Sequence, residues 1–470
     1  MPIFLRPRGL RLADKFALGL VALSLFVLTG GSLLLSSGVL EPAWNRLSPQ
    51  PDRIVLTWSG DPATTQSVTW RTDITVSEAV AQYAIAEAGP DFRNRARTVR
   101  ATSELFDGSR VPQSEYLAKF HSVTFTDLVP DTTYAYRVGD GARWSEWFHF
   151  RTASLEAKPF SFIYFGDAQN DILSLWSRTI RSSYAAAPDA RFMIHAGDLI
   201  NTAHDDKQWG EWFEAGGWIH PMLPSVPATG NHEYRAITTA EEEAGIRHLS
   251  VFWKPQFTLP MNGPKGLEES AYYIDYQSAR IVVLNSNVER QAQAEWLDEV
   301  LTANTQPWTV VVFHHPGFST AGSRDNPEIR ALWKPVLDKH GVDLVLQGHD
   351  HTYARGRTFL QEANAGVGAN ARDPRTGTVY VVSVSGPKMY EFKPEQWGQY
   401  DAALDRRAEN TQLFQVIRID GDKLEYRAHT ALGQLYDSFD LVRDNVGNRF
   451  IEHMPSDAEI RAFADTLQSR

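Results

Sequence analysis

Residues 160–169 read Phe-Ser-Phe-Ile-Tyr-Phe-Gly-Asp-Ala-Gln and residues 191–198 read Arg-Phe-Met-Ile-His-Ala-Gly-Asp. Both runs are too short and too rich in branched and aromatic residues for helices, and both stop at Gly-Asp. They read as buried strands that end in a carboxylate. The pattern recurs along the chain. Val226-Pro-Ala-Thr leads into Gly230-Asn231-His232-Glu233, Val312-Phe313 into His314-His315-Pro316, and Leu346-Gln347 into Gly348-His349-Asp350-His351. Strand-like runs at 281–284, 309–313, 342–346 and 379–384 alternate with helix-period segments at 292–302 and 329–339, which is the α/β pattern. In an open α/β sheet the carboxyl ends of the strands line one crevice, so five polar termini are expected to converge there. The glycines let the backbone turn sharply and approach a ligand closely.

Singly these pieces are weak, since Gly-Asp at a strand end is more often a turn. Together they set five of the fourteen histidines beside carboxylates and an amide, a donor set suited to a pair of divalent ions of the Mn, Fe or Zn kind. About four ligands each, with positions left open, describe a catalytic rather than a structural site. The chain has no cysteine, which removes disulfides, zinc thiolates and cysteine nucleophiles together.

With 470 residues, 43% apolar and 22% charged, the chain is a globular protein of two or three domains, not a disordered or many-span membrane protein. The net charge of −11 arises although the first fifty residues hold five bases and two acids. An acidic remainder argues against nucleic acid as a partner. Arg6, Arg8, Arg11 and Lys15 precede an uncharged run at 16–40, long enough for one membrane crossing with the basic flank inside. The expectation is a membrane anchor with the remainder exported to a bacterial periplasm or the cell exterior, or a secreted protein if the segment is a cleaved signal. Residues 42–52 then read as a linker. Short alternating runs over 53–153 indicate an all-β sandwich, residues 159–443 the α/β domain, and 444–470 a helical tail.

The ordered set Gly166-Asp167, Gly197-Asp198, Gly230-Asn-His-Glu233, His314-His-Pro316 and Gly348-His-Asp-His351 resembles the calcineurin-like metallophosphoesterase superfamily. Within it, Gly-Asn-His-Glu-Tyr234 and Gly-His-Asp-His-Thr-Tyr353-Ala-Arg355 most resemble the purple acid phosphatases. The stretch Leu128-Val-Pro-Asp-Thr-Thr-Tyr-Ala-Tyr-Arg-Val-Gly139 looks like the closing half of a fibronectin type III domain, with Tyr134 or Tyr136 as its corner tyrosine. The resemblance covers about residues 51 to 440. It implies an αββα four-layer sandwich behind a fibronectin-like module and an N-terminal transmembrane helix. It also implies a two-metal centre in which Asp198 bridges, Asp167 and His351 hold the first ion, and Asn231, His314 and His349 hold the second. His232 would stand beside the phosphate as acid or electrostatic stabiliser, with Glu233 and Asp350 as supports.

Two positions depart from that pattern. Asn201 stands where purple acid phosphatases have a tyrosine three residues after the bridging Asp, so an Fe(III)-tyrosinate is not expected. Gln169 stands where the wider superfamily has a histidine two residues after the first Asp. Either amide could ligate instead, and His315 could touch substrate or pack. Histidines that some plant members carry after the His-x-Pro motif are absent from 317–326. The expected activity is hydrolysis of phosphate monoesters, acid phosphatase-like, by in-line attack of a hydroxide between the two ions. A phosphodiesterase with the same centre is one alternative, and a non-catalytic envelope-binding protein with a decayed site is the alternative of another class. Oligomeric state is not legible.

Overall fold

The computed structural model describes residues 42, 45–112, 114–358, 375–393, 397–400 and 402–453. The expected anchor at 16–40 and most of the expected tail lie outside these residues. No helix among the described residues is long and apolar enough to cross a membrane.

The N-terminal module is two four-stranded antiparallel sheets. One runs Asp52–Thr57, Gln66–Thr72, Leu117–Phe125, Thr102–Asp107; the other runs Arg97–Arg100, Val80–Ile85, Thr133–Gly139, Phe148–Arg151. Alternate residues of these strands, among them Leu56, Val68, Trp70, Val123, Phe125, Tyr136 and Val138, meet in one core, as the period of two requires. Tyr134 takes the corner role, its hydroxyl accepting from the Val129 N–H at 2.8 Å. Tyr136 instead donates to the Pro221 carbonyl at 2.6 Å and so joins the module to the next domain.

That domain holds two large sheets. In the first, Ser225–Pro227, Met193–His195 and Phe160–Phe165 run parallel, followed by the antiparallel strands Leu413–Asp420, Lys423–Thr430, Leu435–Asp444 and Gly447–Glu452, with Arg375–Thr376 at the edge. In the second, Ala279–Val283, Trp308–Val312, Leu344–Gln347 and Val379–Val382 are parallel, flanked by Tyr272–Tyr276, Tyr353–Thr358 and Ala402–Ala408. The central strands of the second sheet are buried on both faces. Val310, Val312, Leu344 and Leu346 enter the core shared with Phe162, Tyr164 and Ile417 of the first sheet. The alternate residues Val311 and Val345 pack with Leu297 and Leu301 of helix Arg290–Thr302 and Trp333 of helix Pro327–Lys339. Ile180 of helix Ser177–Ala186 and Trp209 and Trp212 of helix Asp206–Gly216 join the core of the first sheet. This is the helix-sheet-sheet-helix sandwich of the metallophosphoesterases.

One expectation is corrected. Residues 444–452 do not begin a helical tail. Asp444 pairs with Gly447 across a two-residue turn, Gly447 adopts φ 137°, and the Asp444 carboxylate accepts from the Val446 N–H at 2.8 Å. A short acidic side chain that bonds the turn backbone, with glycine following, closes a hairpin there.

Candidate metal centre

The strand ends converge as their sequences require. Asp167 follows Phe160–Phe165, Asp198 follows Met193–His195, Asn231 and His232 follow Ser225–Pro227, His314 follows Trp308–Val312, and His349 and His351 follow Leu344–Gln347. Asp198, His349 and His351 have positive φ, at 51°, 75° and 50°. Such backbone costs about 1–3 kcal/mol per residue and persists where its surroundings over-determine it. Here they do. The buried Glu233 carboxylate accepts from the Asp198 and Leu199 N–H groups, both at 2.8 Å, and from Gly230 at 2.6 Å. Asp167 Oδ1 accepts from the His349 N–H at 2.7 Å, and Asp198 Oδ1 from the His232 N–H at 2.8 Å. Glycine is required for this closeness: a Cβ on Gly230 would lie 2.1 Å from Asp198 Oδ1, and one on Gly348 2.2 Å from Asp167 Oδ1.

Two groups of donors result. Asp198, His314 and His349 present ligand atoms all within 4.8 Å of one another, and so do Asp167, Asp198 and His351. Asp198 is common to both. His314 Nε2 lies 3.1 Å from Asp198 Oδ2 and 3.2 Å from Asn231 Oδ1, and His351 Nε2 lies 3.2 Å from Asp167 Oδ2. Carbonyls fix the imidazoles from behind. His314 Nδ1 donates to Ala196 at 2.9 Å and His351 Nδ1 to Lys388 at 2.9 Å, which turns each Nε2 toward the other donor atoms. Metal-holding histidines are oriented in this way.

His314 holds Asp198 below the usual carboxylate range in spite of its burial, but the acids beside it are not neutralised in this way. Burial, together with the negative Asp198, pushes Asp167 up to about 7, and the same two causes push Glu233 up to about 8. Burial holds His351 down at about 3, in its neutral ligand form. His314 rises to about 9 against its burial because Asp198 and Asp167 face it. Divalent cations would relieve this crowding. Gln169 carries a further sign of fit. Its Nε2 lies 3.0 Å from Asp198 Oδ2, 3.0 Å from His351 Nε2 and 3.5 Å from Asp167 Oδ2, while its Oε1 is buried with no hydrogen-bond partner. Turning the amide over would place that orphaned oxygen among the ligand atoms.

The remaining expected residues divide. His232 is half-buried, donates from Nδ1 to the Asn201 carbonyl at 2.6 Å, and lines a cavity of about 370 Å³ with Asn201, Asn231, Tyr234, Arg235 and Arg247. Asn201 acts through its backbone, its N–H also donating to Gln208 at 2.8 Å. His315 Nδ1 lies 2.8 Å from Ser286 Oγ and its ring packs 4.4 Å from that of His349, tilted 51° to it, so it braces a candidate ligand. Asp350 accepts from Ser319 at 2.8 Å and from the Thr320 N–H at 2.6 Å. Tyr353 and Arg355 both bond Asp437, at 2.6 and 2.8 Å, away from the donors. Sequence reasoning passed over Arg324 and Tyr390, which flank His349 and His351. Arg324 is the one basic residue of 317–326, and that was the available signal.

A two-sheet α/β domain that gathers buried carboxylates, imidazoles and an amide at its strand ends is a metallophosphoesterase. Residues 161–353 match the family model described as calcineurin-like phosphoesterase, and residues 51–152 match that of the purple acid phosphatase N-terminal domain. The chain thus carries a calcineurin-like phosphoesterase domain behind a purple acid phosphatase N-terminal domain, is similar to the purple acid phosphatases, and is a phosphoesterase hydrolase. Acid phosphatase type 7 of Homo sapiens is 27% identical over 357 residues, which cover 69% of this chain and 74% of that protein. In the solved structures, purple acid phosphatase PPD1 from yellow lupin (Lupinus luteus) shares the fold with TM-score 0.67 at 20% identity, over 85% of this chain and 75% of that one. PhoD shares it with TM-score 0.62 at 12% identity, over 88% and 95%.

Proposed function

We propose that the protein is a two-metal hydrolase of phosphate monoesters. The observation that carries this reading is that Asp198 belongs to both donor groups, the arrangement a bridging ligand needs. Asp167, His351 and the turned Gln169 amide would hold one ion, and His314, His349 and Asn231 the other. A bound pair of divalent ions, whether Fe, Mn or Zn, would activate water and offset charge on the phosphate oxygens. The chain's own groups do the rest. Glu233 and the backbone N–H groups it gathers fix Asp198 in its left-handed conformation. His232, with Nδ1–H held by Asn201, presents Nε2 as the group that protonates the leaving alkoxide, a role worth about 10²–10⁴ in rate.

Hydrolysis of a nitrophenyl phosphate monoester and diester by residues 47–470 loaded with Mn, Fe or Zn tests this, with Asp198→Ala as the blank. Turnover of the monoester above the blank is expected. Preference for the diester would make the enzyme a phosphodiesterase, and no turnover with any metal would leave a binding protein. The four bases and the uncharged run at 16–40 support export with a membrane anchor. Protease added outside intact spheroplasts should then digest the catalytic domain.

A further inference from the structure

The loop after His314-His315-Pro316 carries a guanidinium to the donor cluster. Arg324 Nη2 lies 2.9 Å from Nδ1 and 2.6 Å from Nε2 of His349. Its Nε lies 3.7 Å from Asp350 Oδ1 and has no hydrogen-bond acceptor among the described residues. Its guanidinium carbon lies 5.1 Å from the centre of the Tyr390 ring, and that ring lies 4.6 Å from His351, tilted 57° to it. The side chain is 26% exposed, so it is open to a ligand yet anchored.

This position is unstable toward loading. A nitrogen of His349 that binds a cation has no lone pair left for Arg324, and two cations at that distance repel. Asp350 and Tyr390 still hold the guanidinium at the rim, by charge and by its stacking on the ring. An ester phosphate seated on the cations brings oxygens to the same rim, and a guanidinium fork matches phosphate oxygens in pairs. We propose that Arg324 is a catalytic residue that leaves His349 on metal loading and grips the phosphoryl oxygens of the substrate; this rests on the two-metal reading above. Because arginine keeps its charge throughout the working pH range, this grip does not weaken as pH rises through neutrality.

The test uses the full chain loaded with metal, as wild type, Arg324→Ala, Arg324→Lys and Arg324→His. It reads metal content by elemental analysis, inorganic phosphate affinity by titration calorimetry, and kcat and KM on a nitrophenyl phosphate. Arg324→Ala should keep its metal, bind phosphate about tenfold or more weakly, and lose a similar factor in kcat/KM, as for a charge-assisted hydrogen bond. Arg324→Lys should recover part of this. Arg324→His should bind phosphate near pH 5.5 and lose that affinity as pH rises through about 6.5, where histidine gives up its charge. Phosphate affinity unchanged in Arg324→Ala of an active enzyme overturns this inference alone. Metal lost from both the Ala and Lys variants also overturns it, making Arg324 a support of His349. A wild type that takes up no metal and hydrolyses nothing overturns the two-metal reading as well.

Discussion

At the junction of the two domains Asp206 is buried against Arg53 at 2.6 Å and Arg71 at 3.3 Å, with Arg71 also on Asp52 at 2.7 Å and the Tyr116 hydroxyl donating to Asp206. Eight residues earlier in the chain Asp198 is buried with Asp167 and Glu233 close by, and its partners are imidazoles and N–H groups. The first cluster carries its own cations and holds Asp206 below the usual carboxylate range in spite of burial. The second holds Asp198 down too, in spite of burial and through His314, but leaves its neighbours Asp167 and Glu233 far above that range. A buried acid that the chain neutralises is architecture; a group of buried acids left short of positive charge is built to receive it.

Breaking each cluster should therefore fail in a different way. The largest effect is expected at the metal centre, where Asp198→Ala should abolish metal uptake and lower kcat/KM on the order of 10³-fold or more; elemental analysis and initial rates on purified protein check it. Asp206→Ala should do the reverse. It removes the carboxylate that two buried guanidinium groups share, Arg71 keeping Asp52, and should cost about 3–5 kcal/mol in urea unfolding, while metal content and kcat per folded molecule stay at the wild-type level. Glu233→Gln would act on a bound metal only through the Asp198, Leu199 and Gly230 N–H groups that Glu233 holds, and should lower metal affinity about 10–100-fold, as loss of a support behind a ligand does; competition with a chelator reads this.

A pH-dependent effect sharpens the contrast with a buried group that needs no charge at all. His220 stacks on Trp212 at 4.0 Å and donates to the Trp212 carbonyl at 3.2 Å, and burial takes it down to about 4. Its unfolded value is about 6.5, so between these values the unfolded chain binds the extra proton, and stability falls as pH falls through that window. The loss approaches about 3 kcal/mol at the acid end. Urea midpoints between pH 7 and 4 should drop in wild type and drop less steeply in His220→Gln.

Much of the site was legible because each donor follows a strand that is buried on both faces and stops at a polar residue. Such runs stand out from their neighbours, and the crevice rule does the assembly. The strands Arg97–Arg100 and Thr102–Asp107 escaped notice because their residues are mostly exposed and the apolar alternation is lost. The strand Gly447–Glu452 fell inside the expected helical tail. Asp206 gave no local sign of its role, since its partners lie 153 and 135 residues away. Gln169 read as a missing histidine. The structure adds that its amide lies beside Asp167, Asp198 and His351 with a buried oxygen that has no hydrogen-bond partner, surroundings that no local pattern discloses.

The shared position of Asp198 is tested most directly by counting ions. Purified protein, stripped with chelator and reloaded with Mn or Zn, should hold about two ions per chain, and Asp198→Ala should hold none, with both losing no secondary structure by circular dichroism. One ion per chain in wild type, or two retained in Asp198→Ala, would contradict a centre bridged by Asp198.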